Sequence, residues 1–266
     1  MDKRPIGIFD SGIGGLTVLK EIVAQLPGED TIYLGDTARV PYGIRSSSTV
    51  IRYSYQNADF LAMQGIKILV VACNTVSAVA IEKLRGRLSI PVVGVIEPGA
   101  MAASKVSARG SIGVIGTVAT VESGAYQRVL KQLIPDVDIT ARACPLFVPL
   151  VEEGWTDGNI ARNIVRTYLK SLRRHKVDTL VLGCTHYPLL KDLIGEYMGE
   201  ETVLIDSAVE TAKETERVLK SEGIMNSGGR TGKRRFYVTD SPARFRTVGQ
   251  RFLGEGITDI DLVDIV

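Results

Sequence analysis

Chemistry in this chain starts with its cysteines, of which there are three, at positions 73, 144 and 184. Two of them stand in matching contexts. Cys73 closes the apolar run Ile68-Leu69-Val70-Val71-Ala72 and precedes Asn74-Thr75, while Cys184 closes Leu180-Val181-Leu182-Gly183 and precedes Thr185-His186. A lone cysteine in an apolar strand is usually a small buried hydrophobe, which accounts for Cys144. That description fits poorly for two thiols at strand ends beside polar residues, where open α/β sheets bind their ligands. A helix predicted to begin just after Cys73 would turn its N-terminal N–H groups toward the sulfur and favour thiolate. Without such help a thiol of pKa roughly 8.5 is only slightly ionised near neutrality. Two like acid/base groups suit one reaction in particular. Inverting a stereocentre by proton transfer takes a base on one face of a carbon and an acid on the other. One thiol is then thiolate while its partner is protonated, and the roles exchange when the reaction reverses.

Other polar turns offer further groups. Asp10-Ser11-Gly12-Ile13-Gly14-Gly15 follows the strand-like Ile6-Gly7-Ile8-Phe9 and leads into a helix. It falls short of the dinucleotide fingerprint G-x-G-x-x-G, because Thr17 occupies the place of the third glycine. What remains is a turn whose N–H groups can hold a carboxylate at a helix N-terminus. Asp10 within it is placed either to modulate a nearby base or simply to cap the helix. The loop from Gly35 to Gly43 is a second polar segment after a strand; its Pro41-Tyr42-Gly43 reads first as a turn, and beyond a strand end as a source of backbone donors. His186 follows Cys184 by two, so an extended stretch would put both on one side, where the ring can exchange protons with the thiol. Glu152-Glu153 would ordinarily be a solvated pair; Glu152 is the better placed of the two to assist catalysis.

Positioning these residues requires a particular set of elements. Strands are predicted at 6–9, 31–34, 68–72 and 91–95, with helices at 16–25, 48–63 and 75–88 between them. Alternation of this kind, with continuously apolar strands, defines an α/β fold of mostly parallel sheet with helices on both faces. The pattern then restarts. Ile112-Gly113-Val114-Ile115-Gly116-Thr117 echoes Ile6 to Ser11, the Cys184 segment echoes the Cys73 segment, and Val203-Leu204-Ile205-Asp206 echoes Val92 to Val95. The last two pairs share an offset of 111 positions, which argues for a duplicated, doubly wound domain. After Asp206 a helix at 209–221, a Gly-rich loop at Ser227-Gly228-Gly229-Arg230, a strand at 235–239, a helix at 243–253 and a strand-like end at 262–266 complete the chain. That tail is too small to stand alone and is expected to pack back on the first half, giving domains of 1–97 plus 209–266 and 98–208. The basic Lys233-Arg234-Arg235 reads as a solvated loop.

Composition bounds the alternatives. A chain of 266 residues suits two α/β domains, and 45% apolar with 23% charged residues is ordinary for a globular protein. A net charge of +2 selects neither nucleic acid nor an anionic membrane. No apolar run is long enough to span a bilayer, and Met1-Asp2-Lys3-Arg4-Pro5 leads directly into a strand with no signal-peptide core. Three cysteines make a poor disulfide framework and suit a reducing cytoplasm; with two histidines they do not readily build a structural zinc site either.

At these residues the sequence closely resembles the glutamate racemases of the aspartate/glutamate racemase superfamily. The matching segments are Phe9 to Gly15, Gly35 to Gly43, Ala72 to Thr75, Gly94 to Gly99, Cys144 to Gly154, Gly183 to Pro188 and Ile205 to Ala208, in family order across nearly the whole chain. Val76, where a smaller residue is expected, is a mild variation. The resemblance implies two similar α/β domains with the active site at their interface, and racemisation of glutamate by Cys73 and Cys184 assisted by Asp10, Glu152 and His186. It implies substrate held by Asp10-Ser11, Tyr42-Gly43, Asn74-Thr75 and Thr185-His186, with Cys184 acting on the L form and Cys73 on the D form. It implies no pyridoxal phosphate and no metal, a homodimer, and D-glutamate supplied to bacterial peptidoglycan. The rivals are aspartate racemisation and a cysteine hydrolase built on Cys184 and His186, which leaves Cys73 unexplained. Some family members are reported to restrain DNA gyrase, but no long basic arm or recognition helix points to nucleic acid here.

Overall fold

The protein is described by a computed structural model covering residues 2–226, 228–229 and 231–265. Ser227 and Arg230 of the predicted Gly-rich loop, Val266 of the predicted strand-like end, and Met1 lie outside the described residues. The first half runs β1 (Ile6–Asp10), α1 (Leu16–Gln25), β2 (Thr31–Gly35), a 3-10 turn (Tyr42–Ile44), α2 (Ser47–Met63), β3 (Ile68–Val71), α3 (Asn74–Arg87) and β4 (Val92–Gly94). It continues through α4 (Ile96–Val106) into β5 (Ser111–Gly116), α5 (Val118–Glu122), α6 (Ala125–Leu133), β6 (Asp138–Ala143), α7 (Phe147–Glu152) and α8 (Gly158–Arg174). Then follow β7 (Thr179–Gly183), a 3-10 turn (Tyr187–Leu190), α9 (Lys191–Met198), β8 (Val203–Asp206), α10 (Ser207–Ser221), β9 (Arg234–Val238), α11 (Pro242–Leu253) and β10 (Ile260–Leu262).

These strands form two sheets, ordered β10-β9-β2-β1-β3-β4 and β6-β5-β7-β8, and every pairing among the described residues is parallel. The duplication read in the sequence is visible here, because 2-1-3-4 and 6-5-7-8 are the same winding. Central strands are buried along their whole length, as parallel strands covered on both faces must be. Alternation along β3 sends Ile68 and Val70 into the large core shared with α1, and Leu69 and Val71 into the smaller core under α2 and α3. The C-terminal tail joins the first sheet through β9, whose register sets Tyr33 against Phe236. Two details differ from the sequence reading. The last strand lies at 260–262 rather than 262–266, because β9 ends at Val238 and leaves β10 only three rungs. Arg234 and Arg235 open β9 instead of lying in a loop, and Arg234 pairs with Glu255. No helix among the described residues is long and apolar enough to cross a membrane.

Candidate active site

In each sheet the winding reverses beside the first strand, between β1 and β3 and between β5 and β7. A crevice opens at such a switch point beyond the carboxyl ends of the strands. The two crevices face each other and form one cavity of about 350 Å³. From the first half it is lined by Ser11, Val40, Pro41, Tyr42, Gly43, Ile44, Cys73, Asn74 and Thr75. The second half brings Thr117, Val118, Pro145, Val148, Pro149, Glu152, Cys184, Thr185 and His186. The predicted site residues therefore converge on one wall-to-wall cavity, with Asp10 as the exception. Asp10 ends β1 and lies buried behind the lining, where its Oδ2 accepts the Gly12 N–H at 3.0 Å. It is not a helix cap, since α1 starts after Gly15 with no side-chain cap.

The two thiols are equally buried and differently surrounded. Cys73 caps α3 and points its Sγ at Ser11 Oγ, 3.6 Å away. Burial, reinforced by the nearby Asp10 carboxylate, pushes its thiol up to about 12. The helix N–H groups expected to favour thiolate act in that direction, through Val76, but burial outweighs them. Cys184 stands instead beside an ion relay. Its Sγ lies 3.9 Å from His186 Nδ1, and His186 Nε2 lies 3.1 Å from Glu152 Oε1. Burial pulls the His186 ring down, but its hydrogen bonds to Cys184 and Glu152 outweigh this and push it up to about 10. Burial likewise raises Glu152, while His186 and Arg244 together hold it below the ordinary carboxylate range. The Cys184-to-His186 stretch is a turn leading into the Tyr187–Leu190 3-10 turn, not the extended segment predicted, and the ring still reaches the thiol.

Each cysteine turn is also tied to the opposite half. Thr17 Oγ1 on α1 donates to the Thr185 carbonyl at 3.0 Å, and Gly14 packs so closely on this turn that a Cβ would stand 2.3 Å from Thr185 Oγ1. On the other side Tyr126 Oη donates to Asn74 Oδ1 at 2.8 Å, and the Thr75 and Thr117 hydroxyls are 3.0 Å apart. With its oxygen engaged, the Asn74 amide leaves Nδ2 buried without an acceptor. Thr117, Thr120 and the apolar lips Val40, Val118 and Val148 were not picked out as site residues from sequence. The signal for Thr117 was present, because the internal echo pairs it with Ser11. No group of three or more His, Cys, Asp or Glu side chains that could hold a metal ion occurs among the described residues.

Two like α/β halves closing on a cleft with a thiol from each describe a class of protein, and the comparisons identify it. Residues 6–215 match the Asp/Glu/Hydantoin racemase family, and the chain belongs to that family. Within it, a glutamate racemase of Geobacter metallireducens is 56% identical over 265 residues, which span 100% of this chain and 98% of that one. The crystal structure of glutamate racemase isoform RacE1 from Bacillus anthracis matches with a TM-score of 0.96 at 43% identity, covering 100% of this chain and 99% of that chain. A Francisella tularensis glutamate racemase, solved in complex with D-glutamate, gives 0.94 at 38% identity with the same coverage.

Proposed function

We propose that the protein interconverts L- and D-glutamate by proton transfer between Cα and two thiols. The carrying observation is that Cys73 and Cys184 line one cavity from opposite halves, in a chain similar over its full length to glutamate racemases. Burial and Asp10 hold Cys73 as a thiol at neutral pH, which suits it to act as the acid on L-glutamate. Cys184 takes the proton from L-glutamate: the Cα–H bond breaks, an S–H bond forms and the electron pair moves into the adjacent carboxylate. Cys73 then delivers its proton to the opposite face of Cα, leaving the thiol and thiolate exchanged for the reverse reaction. His186, held protonated by Cys184 and Glu152, stabilises the negative sulfur at the start of this sequence.

Cα–H is a very weak acid, and the demand falls on donors fixed around the carboxylate. The polar turns that line the cavity at Ser11, Gly43 and Thr185 are placed to supply such donors from their backbone N–H groups. Similarity to glutamate racemases further supports a reaction without pyridoxal phosphate or metal, carried out in the cytoplasm by a homodimer to furnish D-glutamate for peptidoglycan. The two halves are then 1–97 with 209–266, and 98–208. The test is a stereospecific assay of purified protein with L-glutamate or L-aspartate and no added cofactor. D-glutamate formed faster than D-aspartate is expected; the reverse order overturns the substrate, and no D product overturns the activity.

A further inference from the structure

α11 belongs to the tail that completes the first sheet, yet its side chains reach the Cys184 wall of the cleft. Phe252 packs edge-on against the His186 ring, with centroids 5.1 Å apart. Arg251 Nη1 donates to the Glu152 carbonyl at 3.1 Å. Arg244 Nη2 donates to Glu152 Oε2 at 3.3 Å and lies 3.7 Å from Glu153 Oε1. Because Glu152 Oε1 faces His186 Nε2, both carboxylate oxygens are engaged, one by each half of the molecule.

We propose that Arg244 is a positioning residue for the Cys184 half of the reaction, fixing Glu152 and through it the His186 ring. The inference rests on the racemase reading above. A glutamate on a six-residue helix has rotamer freedom to lose, and one hydrogen bond to a ring restrains it less than two opposed contacts. Arg244 is more than half exposed, so its ion pair adds little to folding stability, and its removal leaves the fold in place. The titratable groups around the relay are Cys184 on the cleft side, Asp10 buried behind the lining, and Glu153, Arg244 and Arg251 on the outside. Arg244 is the outer cation whose side chain meets the Glu152 carboxylate, and it favours the charged form of that carboxylate.

The test compares wild type, Arg244→Gln and Arg244→Lys, each alone and in a Glu152→Gln background. Arg244→Gln should lower kcat about fivefold at unchanged melting temperature, the loss of one partly exposed ion pair, with Lys restoring most of it. Loss of the cation raises Glu152, so the acid limb of the pH–rate profile moves to higher pH. A racemisation has an equilibrium constant of unity, so kcat/KM must fall equally in both directions. The asymmetry therefore appears in isotope effects: with Cα-deuterated substrates, the effect should grow for the enantiomer deprotonated by Cys184 and shrink for the other. In the Glu152→Gln background Arg244→Gln should change nothing further. Additive losses, or isotope effects unchanged in both directions, overturn the role of Arg244 while leaving the racemase intact. Wild type that exchanges no Cα proton of glutamate overturns both.

Discussion

The two thiols of this site share a degree of burial and differ in what surrounds them. Cys73 faces a hydroxyl and a buried carboxylate, Cys184 an imidazolium backed by Glu152. That difference has a measurable sign. Burial and a like charge both disfavour the Cys73 thiolate, so its ionisation is displaced upward to about 12. In a Cys184→Ala variant, alkylation of Cys73 by iodoacetamide should be slow near neutrality and keep rising well beyond the roughly 8.5 of an ordinary thiol. A rate that levels off near that ordinary value would show that burial does not control it. That the two cysteines and His186 stand together was legible from residue type and context. Glu152 was less so, because an adjacent carboxylate pair reads as a solvated turn, and Asp10 stood open between a helix cap and a partner of a base. The strength of burial at Cys73 was not legible, because it depends on how α3, β1 and Asp10 close around the sulfur, which spacing does not encode.

At the scale of elements, chemistry sits at the junctions where strands hand over to helices. The Gly14 turn illustrates how tightly these junctions mesh across the cleft. A Cβ there would stand 2.3 Å from Thr185 Oγ1 and 2.4 Å from His186 Nδ1. Gly14→Ala should therefore push the Cys184 turn aside, lowering kcat by about 10²-fold while costing about 1–3 kcal/mol of stability. Rate measurements and urea unfolding on the same variant check both; near-normal kcat would mean that the turn yields without moving the relay. The strands and helices of the first half were readable because their apolar runs are continuous and turn residues such as Pro27-Gly28 and Gly65 punctuate them. Residues 118–178 were harder. β6 is a half-exposed edge strand with no continuous apolar run, and α7 is only six residues long. α8 was readable in principle, since Ala161, Val165, Leu169 and Leu172 fall on one helical face.

At the scale of the molecule, a duplicated fold gives one catalytic thiol to each half, and the tail couples the halves. A buried ion pair secures the chain's return to the first half: Lys67 Nζ lies 2.7 Å from Glu29 Oε2 and donates to the Asp2 and Ile224 carbonyls, while the Asn226 N–H donates to Glu29 Oε1. Removing one partner strands the other charge in the core. Lys67→Met should cost about 3–5 kcal/mol in urea unfolding, and adding Glu29→Leu should recover much of it. A double variant no more stable than Lys67→Met would show that the carbonyl contacts, not the charges, hold the return. The duplication was legible because cysteine recurs at the same place in both copies. Which strands the tail would pair with was not, since that is decided by the open edge at β2 and not by local pattern. The central claim is that both thiols move the Cα proton, and deuterium oxide tests it most directly. Wild type given L-glutamate should lose optical rotation and build solvent deuterium into Cα of the D product, and Cys73→Ala and Cys184→Ala should each abolish the loss of rotation. Racemisation persisting in either variant would contradict the account.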